Sequence, residues 1–223
     1  MNNISHEIRT PLNGILGFGQ MLTNSDFTTD VKELYYKMLT NSSDRLLNTV
    51  TNFLDISLIT SGNQKVYKKE IVLEDLLHEV CAKFQENCTE KQLTLYLQKP
   101  QPATVDKIYT DGILLSKILH QLIDNAVKFT SQGNITIGYK IQDEFVHFYV
   151  QDTGIGISEE NKKRIFGNFI QEDTADTRRY EGTGIGLSIA EGLTELLGGA
   201  MCLESLKGKG STFYFSLPLT KGA

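Results

Sequence analysis

The sequence predicts an α-helical hairpin, paired with a second copy as a dimeric four-helix bundle, followed by an α+β sandwich. Three observations carry this. Up to about residue 61 the apolar residues recur at helical spacing. Beyond Ser61-Gly62-Asn63-Gln64, which reads as a helix stop, short alternating stretches interleave with helical ones. The helical part also carries a longer apolar seam than a lone hairpin can bury, and a two-fold pairing of hairpins is the economical way to cover it.

In chain order, Ile4, Ile8, Leu12, Ile15, Leu16, Met21 and Leu22 keep roughly helical spacing over residues 4–23. Thr28, Thr29 and Asp30 are cap candidates for a second helix that runs to about residue 61. Along it Val31, Tyr35, Met38, Leu46, Val50, Phe53 and Ile56 make a heptad-like seam, with Ser42 filling one small layer. The domain boundary is therefore expected at Gly62, giving a dimerisation domain of residues 1–62 and a mixed domain of residues 63–223. In the second, residues 66–71 predict a short strand, 73–90 a helix, and 93–97 and 107–109 two further strands. Asp111 caps a helix to Phe129, whose buried stripe is expected to be Leu115, Ile118, Leu122, Ala126 and Phe129. Residues 135–141 and 145–151 alternate as strands joined by a tight turn at Gln142-Asp143-Glu144. A helix from about Gly184 and strands near 201–206 and 212–217 close the chain, with helices on one side of a largely antiparallel sheet.

Bulk properties narrow the function. The 223 residues, 40% hydrophobic, suffice for one or two cores. A balance of 22 basic against 27 acidic residues, net −5, offers no electrostatic footprint for nucleic acid or an anionic membrane. Cys81, Cys88 and Cys202 form no CxxC pattern, so neither a disulfide framework nor a zinc site is indicated. His78, His120 and His147 lack partners at metal-ligand spacing and read as structural or surface histidines. No run approaches the about 20 apolar residues of a membrane span. The start of the chain leaves no room for a sensor, so it is expected to be the cytoplasmic portion of a longer, membrane-anchored protein, any membrane contact running through segments absent from it.

The first chemically suggestive stretch is Ser5-His6-Glu7-Ile8-Arg9-Thr10-Pro11-Leu12. On a helix His6 and Thr10 lie one above the other, with Glu7 about a quarter-turn round. A neutral imidazole is a good nucleophile near neutral pH, and Glu7 is placed to take the proton from its other ring nitrogen. Pro11 removes a backbone donor and is expected to kink the helix, leaving His6 accessible. A solvated helix face is the plainer reading of the same residues.

Further on, Gln121, Asn125 and Lys128 share a face of the Asp111 helix at i, i+4 and i+7. An amide oxygen suits Mg²⁺, a hard cation, and a lysine one turn away suits phosphate. Asp152-Thr153-Gly154-Ile155-Gly156 follows a strand: a buried carboxylate there is an acceptor for the exocyclic amine of adenine, and the glycines admit a flat ring close to the backbone. Glu181-Gly182-Thr183-Gly184-Ile185-Gly186-Leu187 opens a helix, whose N-terminus favours polyphosphate. It lacks the lysine of a Walker loop and begins no βαβ unit, so both of those readings fail. Gly208-Lys209-Gly210-Ser211-Thr212 precedes the last strand and reads either as a hairpin turn or as a fourth part of the site. Residues 166–179 are polar with few apolar anchors, a candidate lid from which Arg178 or Arg179 is placed to meet a γ-phosphate.

The octapeptide around His6 resembles the phospho-acceptor box of two-component sensor histidine kinases. The later segments are similar to that family's nucleotide boxes, in the family's order: residues 121–129 its asparagine box, Asp152 to Gly156 its first glycine box, Ile165-Phe166-Gly167-Asn168-Phe169 its phenylalanine box, and Gly182 to Leu187 its second glycine box. The resemblance implies the Bergerat (GHKL) ATP-binding fold shared with gyrase and mismatch-repair ATPases. It implies phosphorylation of His6 from Mg-ATP, Glu7 as its acid/base partner, and Thr10 as an aid to dephosphorylation of the partner. It further implies Mg²⁺ on Asn125, with Gln121 a second candidate ligand, phosphate on Lys128, the base near Phe129, and Asp152 reading adenine. Gly154, Gly156, Phe166, Phe169, Gly182, Thr183, Gly184, Ile185, Gly186, Leu187 and Thr212 complete the expected cofactor contacts. The implied partners are a second copy of the chain and the receiver domain of a response regulator, as in plain or hybrid kinases. Gln121 stands where the family often has asparagine, and Glu181 where many relatives have glycine. Two other functions fit the same motifs: an ATP-gated dimeric scaffold without autokinase activity, and a sensor in which phosphatase activity dominates.

Overall fold

The computed structural model describes residues 2–24, 26–99, 107–162, 164–166 and 184–219. Chain contacts divide it into two compact units, the first formed chiefly by residues 1–58 and the second beginning at Ile59.

The first unit is a helical hairpin of α1 (Asn2–Leu22) and the long α2 (Thr29–Thr60). Its helices run antiparallel, since Phe18 stacks on Tyr35 at 6.2 Å, Gly19 faces Leu39, and Gly14 faces Ser42. A Cβ on Gly14 would stand 2.7 Å from Ser42 Oγ, so the small layer expected at Ser42 is matched by a residue with no side chain opposite. Phe27 also packs on Tyr35, at 5.5 Å, beside the turn. The hairpin does not bury its own apolar surface. Leu12, Leu16, Leu34, Leu47, Val50 and Leu54 are each more than 40% exposed. Pro11 lies inside α1, which continues through it as helix.

The second unit is built on a five-stranded mixed sheet in the order β2-β4-β5-β7-β6, comprising β2 (Leu93–Gln98), β4 (Gly133–Gln142), β5 (Phe145–Asp152), β6 (Ala200–Leu206) and β7 (Gly210–Pro218). Only β2 and β4 run parallel; the other three pairings are antiparallel. A separate two-stranded ribbon joins β1 (Lys69–Val72) to β3 (Lys107–Thr110). Three helices, α3 (Leu73–Glu90), α4 (Gly112–Phe129) and α6 (Gly186–Leu196), cover one face of the sheet, and α5 (Glu159–Lys162) is a single turn.

Strict alternation sorts the strands. Val146, Phe148 and Val150 of β5 and Phe213, Phe215 and Leu217 of β7 point to the helices and are buried, whereas His147, Tyr149, Thr212 and Tyr214 point the other way. Phe148 and Phe215, directly opposite in the register, stack at 4.7 Å with their rings 10° from parallel. The helix α4 is the middle of the core, packing against both α3 and α6. It therefore buries two flanks, with Leu114, Leu119, Ile123 and Val127 joining the expected Leu115, Ile118, Leu122 and Ala126. Phe129 departs from expectation: it is half-buried at the end of the helix rather than in the stripe.

Asp111 fixes where α4 begins. Its Oδ1 accepts from the backbone N–H groups of Ile113 (3.0 Å) and Leu114 (3.2 Å), and Oδ2 accepts from that of Tyr67 at 2.8 Å, tying the incoming chain to the helix start. Cys88 is wholly buried on α3, and burial, then the neighbouring Cys88, push the Cys81 thiol up to about 11. Cys88 is core material, and Cys81 lies half-buried at its edge. His120 packs on Phe84 at 4.8 Å with its pKa lowered by desolvation, and His78 pairs with Glu74 one turn away, as structural and surface histidines do.

Candidate active site

In the first unit, His6 is exposed on α1 and Glu7 beside it is half-buried. The Thr10 hydroxyl donates to the His6 carbonyl at 3.1 Å, which puts the two residues on one face as the i, i+4 spacing requires. Pro11 withholds the N–H that would have bonded the Glu7 carbonyl, so the helix is least tightly laced where His6 stands.

In the second unit the loop after β5, the end of α4, the start of β4 and the β6–β7 hairpin are knitted together. Asp152, the last residue of β5, is buried, and its Oδ1 accepts from the Gly154 N–H at 2.8 Å. Burial raises the Asp152 pKa; the backbone N–H groups of Gly154 and Ser211 pull it partly back. Thr153 turns aside and staples to β4, with its N–H on the Asn134 carbonyl (3.2 Å) and its hydroxyl accepting from the Asn134 N–H (3.0 Å). Gly154 passes so close to α4 that a Cβ would stand 2.3 Å from the Phe129 carbonyl oxygen, and that same oxygen accepts from Ile155 N–H at 3.2 Å. Gly156, at φ +62°, passes Leu206 just as closely: a Cβ would stand 2.1 Å from its carbonyl oxygen.

On α4, Gln121, Asn125 and Lys128 are half-buried, and Lys128 Nζ lies 4.8 Å from the centre of the Phe129 ring. The Gln121 amide oxygen meets Gly186 at the start of α6, where a Cβ would stand 2.6 Å from it. This joins the asparagine-box face to the second glycine motif. The helix α6 starts without a side-chain cap among the described residues, which leaves its first N–H groups for another acceptor. Gly184 takes the positive φ of +68° just before it, and the Ile185 side chain is fully buried. Leu187 is half-buried in the first turn. Phe166 meets Phe213 edge-on at 6.5 Å. Phe169, Arg178, Arg179, Gly182 and Thr183 lie outside the described residues.

Thr212 pairs with Gln151 on the open face of the sheet, whereas Ser211 pairs with Asp152 and shares its buried face. Two further polar residues, Ser205 and Thr130, are marked by no sequence motif. Ser205 Oγ accepts from Ile157 N–H at 2.7 Å and lies 3.0 Å from Ser211 Oγ. Thr130 Oγ1, wholly buried at the end of α4, has no hydrogen-bond partner among the described residues. Such a hydroxyl costs about 1–3 kcal/mol unless water or a ligand satisfies it.

The residues fit a magnesium nucleotide. No group of three or more His, Cys, Asp or Glu side chains stands together among the described residues. One or two amide oxygens suit Mg²⁺ that arrives on phosphates and keeps part of its water. The glycines at 154, 156 and 210 admit no Cβ without collision with backbone carbonyl oxygens.

A helical hairpin with an accessible histidine, in one chain with a glycine-lined mixed α+β domain, defines a phosphotransfer core. Residues 110–221 match the family described as histidine kinase-, DNA gyrase B-, and HSP90-like ATPase, and residues 1–62 match the His kinase A (phospho-acceptor) domain. The chain belongs to this ATPase family, and with the acceptor domain ahead of it forms the catalytic core of a histidine kinase. It is 38% identical over 226 residues to the autoinducer 2 sensor kinase/phosphatase LuxQ of Vibrio vulnificus, covering 98% of this chain and 26% of LuxQ. It is 37% identical to the sensor protein GacS of Pseudomonas syringae, covering 98% of this chain and 24% of GacS. The chain thus spans about a quarter of the length of these relatives. Among solved structures, full-length ShkA in complex with AMPPNP superposes with a TM-score of 0.74 at 31% identity, over 98% of this chain and 45% of ShkA. Among the described residues no helix is long and apolar enough to cross a membrane.

Proposed function

We propose that the chain binds Mg-ATP in residues 63–223, transfers the γ-phosphoryl group to His6 in residues 1–62, and passes it on to an aspartate of a response-regulator receiver domain. A ring nitrogen of His6 attacks the γ-phosphorus, the bond to the bridging oxygen breaks, ADP leaves, and Glu7 takes the proton from the other ring nitrogen. The bound Mg²⁺ would neutralise charge on the β- and γ-phosphates. The chain's own residues do the rest: Asn125 and Gln121 offer amide oxygens, Lys128 a charge for phosphate, the open start of α6 its N–H groups, and Asp152 an acceptor for the adenine amine. The observation that carries this reading is the exposed His6 with Glu7 beside it, in one chain with a glycine-lined loop that holds a buried carboxylate.

The exposed apolar seam of the hairpin supports a homodimeric four-helix bundle. The proposal extends to the whole protein, a membrane-anchored sensor whose kinase portion is cytoplasmic. Incubation with γ-labelled Mg-ATP should give an acid-labile, alkali-stable phosphoprotein that is absent in His6→Gln. Nucleotide binding with no phosphohistidine even at long times would instead leave an ATP-gated scaffold. A phosphatase role is favoured by the Thr10 hydroxyl beside His6 and by the kinase/phosphatase activity named for LuxQ. It requires phospho-receiver to decay more slowly with Thr10→Ala than with the parent chain.

A further inference from the structure

The nucleobase side of the site holds a hydrogen-bond chain whose direction can be deduced. Ser205 Oγ has one hydrogen and two lone pairs, and three partners surround it. The Ile157 N–H donates to it at 2.7 Å, which occupies one lone pair. The Gly210 carbonyl, 2.9 Å away, can only accept, so Ser205 gives its hydrogen there. The third partner, Ser211 Oγ at 3.0 Å, must then be the donor, because Ser205 has only a lone pair left. The count closes with every position on Ser205 used.

Ser211 is left with its hydrogen committed and its lone pairs open; among the described residues no group donates to its Oγ. It pairs with Asp152 in the register, on the same buried face, and both are less than 8% exposed. The carboxylate, which accepts from the backbone N–H groups of Gly154 and Ser211, and the hydroxyl thus form two neighbouring acceptors. That pair suits an amine, which brings two hydrogens, and opposes a carbonyl, which brings none.

We propose that Ser205 determines which purine the site accepts, by holding the Ser211 hydroxyl as a pure acceptor beside the Asp152 carboxylate so that a 6-amino base is taken and a 6-oxo base refused. This rests on the reading of Asp152 as the nucleobase partner. Ser205 itself touches no ligand; it is a positioning residue that acts through Ser211. A site built to receive a donor rejects an analogue lacking it because its buried acceptors are left unpaired.

The test compares ATP with ITP, which carry the same triphosphate and differ in the base, by calorimetric titration of the full chain with Mg²⁺. In Ser205→Ala the Ser211 hydroxyl is freed to rotate and donate. ITP should then bind at least about tenfold more tightly while ATP changes by less than about threefold. In Ser211→Ala, which leaves Ser205 its bonds to Ile157 and Gly210, ATP should weaken by about tenfold and ITP hardly at all. The two variants thus erode discrimination from opposite sides, and Ser205→Thr, which keeps the hydroxyl, should preserve it. An ATP/ITP ratio equal to that of the parent chain in Ser205→Ala or Ser211→Ala overturns the proposal, as does loss of discrimination in Ser205→Thr. Should Ser205→Ala fail to fold, the Ser211→Ala ratio decides alone. A parent chain that binds no adenine nucleotide overturns the proposed function as well, so the two failures are distinct.

Discussion

Gly154→Ala puts a close contact of the proposed nucleotide loop to the test. The new Cβ would stand 2.3 Å from the Phe129 carbonyl oxygen and 2.9 Å from Asp152 Oδ1. Neither yields cheaply, because the carbonyl also holds the Ile155 N–H and the carboxylate holds the Gly154 N–H itself. Moving the loop off α4 costs about 1–3 kcal/mol of overpacking. It also breaks a charge-assisted bond worth about 1.5–3 kcal/mol, the one that orients the carboxylate. Calorimetric titration with Mg-ATP should show affinity reduced by about tenfold to a hundredfold. Thermal unfolding of the ligand-free protein should fall by about 2–4 °C for each kcal/mol lost. An affinity within about twofold of the parent, at an unchanged unfolding temperature, would refute the reasoning, since it would mean that this close approach matters to neither the loop nor the nucleotide.

Asp152→Asn separates stability from function. Because burial raises its pKa, Asp152 binds its proton more tightly in the folded protein than in the unfolded chain, so the stability it contributes is full below the unfolded pKa and is lost as pH rises through the folded one. At neutral pH the asparagine should therefore raise the unfolding temperature while weakening ATP binding, and the parent's affinity should fall on acidification from a higher pH than an ordinary carboxylate would give. Leu47→Glu combined with Leu54→Glu, on side chains 66% and 60% exposed, should convert a dimer to a monomer in light scattering with helicity retained; an unchanged mass contradicts the dimer seam. Asp111→Ala removes the cap of α4 and the partner of Tyr67 N–H together, and should cost about 2 kcal/mol or more in chemical denaturation.

Local signals made much of this architecture legible. The helix over 73–90 is bounded as expected, and Asp111 caps α4 as its position before an apolar stripe suggested, since both depend on residues within one turn. The single turn α5 went unseen because four residues carry no periodicity. Helical spacing places Phe129 in the buried stripe, whereas it is half-buried, because spacing cannot say where the covering elements stop. Alternation puts Ser211 on the side of Phe213 and Phe215, but that Asp152 lies opposite it follows only from the pairing of β5 with β7, far apart in the chain. Ser205 gave no signal at all, since its importance lies in three partners contributed by one loop and one strand.

The central claim is that His6 receives a phosphoryl group from ATP. Mass mapping of the chain after incubation with Mg-ATP, digested with trypsin under mildly alkaline conditions, tests it most directly. One added phosphoryl group on the peptide that ends at Arg9, removed by brief acid, is the expected result. A modification that survives acid there, as on Ser5, or one that appears on another peptide while His6 stays unmodified, would contradict it.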